Sequence, residues 1–197
     1  LGLSRNSMRE AVKALEVIRV LDVRRGDGTY VTSLEPHLLL EAISFVADMH
    51  DDDSLLEIFA VRRMLESQAT GLAATLGTAE GIEALHAELD GIDTDVSVDA
   101  LVEHDIRFHR DIVRMAGNAY LASLIESLSG QTVRARIWRG LTEQGAVERT
   151  LSEHRGIAEA IAQRDPNLAT SLATAHIAGI ERWLRQAAAV TESGTEA

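Results

Sequence analysis

The stretch EHDIRFHRDIVRMAGN places Asp105 and His109 four residues apart. On a helix that spacing puts both on one face, one turn apart. A carboxylate and an imidazole in that relation are half of a divalent-metal site. His154 stands in LSEHRGIAEAI, on a face with Ile157, Ala158 and Ile161, and His176 stands in SLATAHIAGI, on a face with Leu172, Ala173 and Ile180. If the three helices pack together, one Asp and three His converge inside a bundle, where such sites are built. That donor set suits Zn2+, Ni2+, Mn2+ or Fe2+, and ligand type does not choose among them. The alternative is a surface Asp105–His109 pair with His154 and His176 as hydrogen-bonded core residues. His37, His50, His86 and His104 show no such arrangement and read as surface.

A second cluster suits nucleic acid. Arg5, Asn6, Ser7 and Arg9 lie at the start of a helical pattern that opens the chain. Arg can bond guanine bidentately, Asn can bond adenine, and Ser can bond either a base or a phosphate. Arg24 and Arg25 sit beside a Gly26-Asp27-Gly28 turn, where phosphate contacts fall. The alternative here is a capped surface helix with ordinary solvated charges.

The elements that must position these residues are mostly helical. Ser4 can cap a helix to about Leu21, with Met8, Ala11, Val12, Leu15 and Ile18 on one face. LDVRR and GTYVTS alternate as strands around the glycine turn. Helix, strand, turn and strand in that order form the back half of a winged helix-turn-helix, whose reading helix presents its N-terminal residues to the major groove. SLEP reads as a linker, and every segment after Pro36 reads as helix. These are HLLLEAISFVADMH, a stretch from a Ser54/Glu57 capping box to about Leu76, then roughly 79–91, 98–116, 119–139, 146–164, and 166 to about Val190. Asn118 reads as the cap of the helix it precedes, and Asp165-Pro166 as the start of the last one. The expected fold is mostly α, a partial winged head followed by an all-helical bundle of six or seven helices.

Composition agrees. Of the 197 residues 46% are hydrophobic but only 4% aromatic, there are 2 Pro, and Ala and Leu dominate, a helical composition. The absence of Cys excludes disulfides, thiolate metal sites and a Cys nucleophile. The longest apolar runs are broken by charge, so no membrane span is expected, and no signal peptide is recognisable. The net charge is −12, yet residues 1–34 hold six basic side chains (Arg5, Arg9, Lys13, Arg19, Arg24, Arg25) against four acidic ones (Glu10, Glu16, Asp22, Asp27). The remainder repels phosphate, so any nucleic-acid contact belongs to the head.

LGLSRNSMREAVKALE followed by VRRGDGTYV resembles the DNA-reading head of the GntR family of bacterial transcription regulators, over about 30 residues. The resemblance implies that Arg5, Asn6, Ser7 and Arg9 contact DNA and that Gly26 and Gly28 shape the wing tip. Asn6-Ser7 stands where Thr-Pro is commoner, which should change the operator read, and Asp27 puts an acid at an often basic wing position. The family's first helix and most of its second have no counterpart here, which makes the expected head partial. Residues from about 54 to 186 resemble the FCD domain, the ligand-binding domain of the FadR subfamily, through VRRMLE, DIRFHRDIVRMAGN, EHRGIAEAI and ATAH. Many FCD domains hold a divalent metal through an Asp, a His four later and two further His, which implies Asp105, His109, His154 and His176, with zinc the leading choice. The metal and a nearby Arg typically receive the carboxylate of a small organic acid. Arg62 in VRRMLE is the matching residue, with pairing to Glu66 as its plainer role. Arg134 and Arg136 in QTVRARIW are further contacts that helix phase does not separate.

The implied organisation is a partial winged helix-turn-helix at 1–34, a linker and linker helix at 35–53, an effector- and metal-binding FCD domain at 54–190 and a disordered tail at 191–197. The implied protein is a cytoplasmic regulator, a repressor and not an enzyme, that binds a palindromic double-stranded operator under control of a small carboxylate. It should be a homodimer, because one reading helix contacts few base pairs and two half-sites multiply specificity. A metal-dependent enzyme and a pure metal-ion sensor are the competing readings, since a metal with open positions can activate water or be the signal itself.

Overall fold

The computed structural model of the chain describes residues 4–34 and 53–195. The expected helix in HLLLEAISFVADMH, with His37 and His50, lies outside them, as does most of the expected linker. Among the described residues there are eight α-helices and one two-stranded sheet.

The head begins with α1 (Arg5–Val17), capped as expected by Ser4, whose Oγ accepts from Ser7 N at 3.1 Å. It stops short of Leu21. Arg19 takes φ 59°, Val20 N reaches Leu15 O at 2.9 Å, and Arg19 N reaches Glu16 O at 3.0 Å. This paired closure uses up the last carbonyls and turns the chain out of the helix. The strands β1 (Leu21–Arg24) and β2 (Gly28–Val31) then pair antiparallel, from Leu21 opposite Val31 to Arg24 opposite Gly28. Gly26 at φ +82° and Gly28 at φ +147° hold backbone that a side chain would strain.

The helical body runs α2 (Asp53–Leu76), α3 (Ala79–Asp90), α4 (Val98–Met115), α5 (Ala119–Ser129), α6 (Val133–Thr142), α7 (Ala146–Ala162) and α8 (Pro166–Thr195). Thr78, Ser97 and Asn118 cap α3, α4 and α5 through their side-chain oxygens, and Asp165 Oδ1 accepts from Asn167 N and Leu168 N at the start of α8. No helix among the described residues is long and apolar enough to cross a membrane. α2 packs chiefly along α8. At their crossing a Cβ on Gly71 would collide with Thr170 and crowd the Pro166 carbonyl, so only glycine permits the approach. The core is built from small and aliphatic side chains around Phe59 and Phe108, both fully buried, as the composition required.

Two features depart from expectation. The stretch 119–139 is not one helix: α5 gives way to a 3-10 turn at Gly130–Thr132 before α6. Ser127 and Ser129 hydroxyls bond back to carbonyls three and four residues earlier, a pattern that bends helices. Thr132 Oγ1, wholly buried, donates to Ser129 O and receives Arg62 Nη1, which holds the tighter turn. At the far end α8 continues to Thr195, past the expected stop at Val190 and into the residues expected to be disordered. No proline interrupts it there, and the alanines at 187–189 favour helix.

The corner between α7 and α8 repeats the closure seen after α1. Arg164 takes φ 59°, Asp165 N reaches Ala160 O, and Arg164 N reaches Ile161 O. The Arg164 guanidinium then crosses to the end of α2, donating to Gly77 O at 2.6 Å and Ala74 O at 3.3 Å.

Candidate metal and effector site

α4 carries the site because its buried face is wide. Leu101, Val102, Phe108, Ile112 and Val113 are buried, and so are His104, Asp105 and His109 among them. α7 contributes His154 from a face of Leu151, Ile157, Ala158 and Ile161, and α8 contributes His176 beside Ala173 and Ile177. Asp105, His109, His154 and His176 are all buried, and each offers one ligand atom within 4.8 Å of the others. Asp105 Oδ1 lies 3.6 Å from His109 Nε2 and 3.5 Å from His154 Nε2, and His109 Nε2 faces His176 Nε2 at 3.3 Å.

The opposite edge of each ring is held. His109 Nδ1 is 3.0 Å from Glu66 Oε2, His176 Nδ1 is 2.6 Å from Glu153 Oε2, and His154 Nδ1 is 3.1 Å from His104 Nε2. Glu153, as a carboxylate, can only accept, so it draws the ring proton of His176 to Nδ1, while Glu66 Oε2 faces His109 Nδ1 as an ion-pair contact without an aligned hydrogen bond. The Nε2 lone pairs then point at one another and at Asp105. His154 Nε2 has no hydrogen-bond partner among the described residues. Lone pairs and a carboxylate gathered this closely call for a positive charge between them. The donor set therefore fits a divalent cation, and the carboxylate–histidine pairs behind it are those that orient metal-binding imidazoles.

Without a metal the cluster polarises its own groups. Burial pushes the Asp105 carboxyl up, but Arg136 and His109 outweigh it and hold it well below the usual carboxylate range. Burial likewise raises Glu66, and Arg62 with His109 reverses that. His109 moves the other way: burial lowers it, while Glu66 and Asp105 overcome this and raise it. Burial lowers His154 strongly and His176 less so, the latter opposed by Glu153.

The arginines separate. Arg136 is buried, its Nη1 2.6 Å from Asp105 Oδ2, yet among the described residues none of its side-chain nitrogens makes an aligned hydrogen bond. Burial and the neighbouring Arg62 push it down to about 10. It lines a small recess together with Asp105, Arg139 and Thr150, with apolar walls from Leu101, Val102 and Ile180. Arg62, fully buried, is engaged elsewhere: Nε donates to Glu66 Oε1 and Nη1 to Thr132 Oγ1, each at 2.5 Å. It stands behind Glu66, which stands behind His109. Arg134 is exposed and is not brought to the cluster.

His104 departs from expectation. It is wholly buried rather than on the surface, because α3 and α7 cover the flank of α4 that carries it. His86 is half-buried. Glu66, Glu88, His104 and Glu153 were not singled out as site residues. For Glu66 and Glu153 the available signal is closeness in sequence to Arg62 and to His154; Glu88 and His104 are brought in by packing between helices.

In the head, Arg5, Asn6, Ser7 and Arg9 are all exposed around the start of α1, with Arg9 Nη2 donating to Asn6 Oδ1 at 3.2 Å. Arg25 is exposed at the wing tip between β1 and β2, whereas Arg24 lies 4.8 Å over the Tyr30 ring and donates to Asp22 at 2.9 Å.

Residues 57–179 match the FCD domain family. The chain is 26% identical to the HTH-type transcriptional regulator LutR of Bacillus subtilis, across 91% of this chain and 84% of that one. It is 26% identical to the galactonate operon transcriptional repressor of Escherichia coli, across 93% and 82%. Among solved structures, Streptococcus agalactiae GntR superposes with a TM-score of 0.66 at 26% identity, covering 91% of this chain and 82% of its own.

Proposed function

Because the chain belongs to the GntR family of bacterial transcriptional regulators and carries an FCD domain, we propose that its head binds duplex DNA and that its helical body senses a small carboxylate at a divalent-metal site. The observation that carries the reading is the convergence of Asp105 and three histidines, each histidine held from behind, beside a buried arginine with unsatisfied donors.

Asp105, His109, His154 and His176 hold the cation, zinc by preference with nickel, manganese or iron as alternatives. A bound cation supplies a Lewis-acid anchor for a carboxylate oxygen. Arg136, which lines the recess and is ion-paired with Asp105, supplies the matching guanidinium, because none of its nitrogens makes an aligned hydrogen bond among the described residues. Arg62 supports Glu66 instead of touching the effector. The apolar walls of the recess exclude water from that pair and strengthen it. A relative named for the galactonate operon accords with an organic-acid signal. Arg5, Asn6, Ser7 and Arg9 read bases, Arg24 and Arg25 contact phosphate, and a homodimer presents two such heads to a palindromic operator.

Titration calorimetry of the zinc-loaded protein with a panel of small organic acids tests the effector site. Arg136→Leu should weaken carboxylate binding at least about tenfold, the loss expected for a charge-assisted hydrogen bond, and should leave the zinc content unchanged. Equal carboxylate affinity in wild type and variant would remove Arg136 from the site.

A further inference from the structure

The mechanism above uses three histidines and leaves out a fourth, His104, which is wholly buried. Its Nε2 lies 3.1 Å from His154 Nδ1, and its Nδ1 lies 3.2 Å from Glu88 Oε1. Arg107 Nε donates to that same Glu88 oxygen at 3.2 Å and fixes where the carboxylate sits. A chain of contacts therefore runs from α3 through α4 to α7 and ends at a metal-ligand ring.

The chemistry of the chain has one consistent direction. The Glu88 carboxylate can only accept, so the proton of His104 sits on Nδ1. A neutral His104 then has a bare Nε2, which needs a donor, and the ring nitrogen facing it among the described residues is His154 Nδ1. His154 must therefore carry its proton on Nδ1, which leaves Nε2 bare toward Asp105, His109 and His176. Nε2 is the atom that has no hydrogen-bond partner among the described residues. The plane of the His154 ring is fixed separately by Phe108, stacked at 4.0 Å between centroids and 10° between planes.

We propose that His104 is a positioning residue that, through Glu88, locks His154 in the Nδ1–H tautomer and so keeps its Nε2 lone pair aimed into the cation site. The other two ring ligands are backed directly by carboxylates. His154 is backed by a carboxylate acting through a second imidazole. The tautomer assignment stands on contacts alone, and only its consequence for zinc affinity rests on the metal reading.

The test uses the whole chain, labelled with nitrogen-15 and stripped of metal. Long-range imidazole spectra near pH 7.5 report which nitrogen of His154 bears the proton, and zinc affinity is read by competition with a chromogenic chelator. Wild-type protein should show His154 protonated at Nδ1. His104→Leu should lose that preference and bind zinc about 10–100-fold more weakly, the range for removing an outer hydrogen-bond partner of a metal ligand. His104→Gln, whose amide can accept from His154 and donate to Glu88, should restore both properties. A purely structural role would leave the tautomer untouched. A His154 proton on Nε2 in the wild type overturns the proposal with no variant needed, so a His104→Leu protein that failed to fold would not shelter it. So does a folded His104→Leu variant that keeps both tautomer and zinc affinity. If the Nδ1–H tautomer is found but wild-type protein binds no zinc, the lock stands and the metal reading alone fails.

Discussion

Zinc added to metal-stripped protein should raise its melting temperature by about 5–11 °C. The four candidate ligands come from α4, α7 and α8, so an ion among them clamps the three helices together. Mass action gives about 2.7 kcal/mol when free metal is a hundred times its dissociation constant. For a helical body of this size each kcal/mol moves the midpoint by roughly 2–4 °C. The pH dependence follows from how the ligands are tuned. His109 is raised above the ordinary histidine value of 6.5, so a falling pH puts a proton there first and zinc must displace it. His154 and His176 are lowered and stay neutral until the pH is below 6.5. The logarithm of zinc affinity should therefore fall with a slope of about one per pH unit around neutrality, steepening only in acid. Differential scanning fluorimetry with buffered zinc, repeated from pH 5.5 to 8, measures both effects. If His154→Ala and His176→Ala both retain full metal content after dialysis, the site is wrong and these histidines are plain core residues.

Three further outcomes are expected. The metal-free protein should be most stable near pH 6.5. Above that value the stabilising proton on His109 is lost as pH rises through its raised value. Below it the unfolded chain takes up protons that buried His104, His154 and His176 refuse. Each net proton changes stability by roughly 1.4 kcal/mol per pH unit, and urea melts across pH would show a flat profile if the reasoning fails. Arg62→Ala should destabilise the fold by about 3–5 kcal/mol by removing the buried guanidinium paired with Glu66 and leaving only His109 to offset that charge; chemical denaturation within 1 kcal/mol of wild type would contradict this. Arg9→Ala should cost about 1–3 kcal/mol of operator affinity if the side chain reads a base, measured by fluorescence anisotropy at fixed salt, and unchanged affinity would remove Arg9 from the reading surface.

What could be read from the chain alone was short-range. Ser4, Asn118 and Asp165 cap the helices they precede because a cap is a matter of a few neighbouring atoms. Asp105 and His109 share a face because helix geometry fixes what lies four residues on. Arg134 and Arg136 could not be separated, because the 3-10 turn at Gly130–Thr132 intervenes. Three residues turning 120° each instead of 100° rotate α6 by roughly 60° relative to an unbroken helix, enough to bring Arg136 inward and leave Arg134 in solvent. Arg62 offered two roles in sequence, and the burial of Glu66 and Thr132 around it favours the plainer one. His104 was invisible for a different reason. Its partners, Glu88 and His154, lie on two other helices, and no local period signals a contact that only packing creates.

The arginine at the α7–α8 corner has a bearing on the site that its distance conceals. α7 carries His154 and α8 carries His176, and both helices leave from the bend that Arg164 makes and pins to the end of α2. At 1.5 Å per residue the bend lies roughly 15 Å from either imidazole. The two helices are lever arms: a change of about 5° at the fulcrum swings a ring by roughly 1.3 Å, more than the ~0.5 Å a ligand constellation tolerates. Glycine would sit at φ 59° without strain and is the residue ordinarily chosen to stabilise such a bend. Here it would relax the backbone and release the fulcrum, so a protein that melts no earlier could still hold its metal less well.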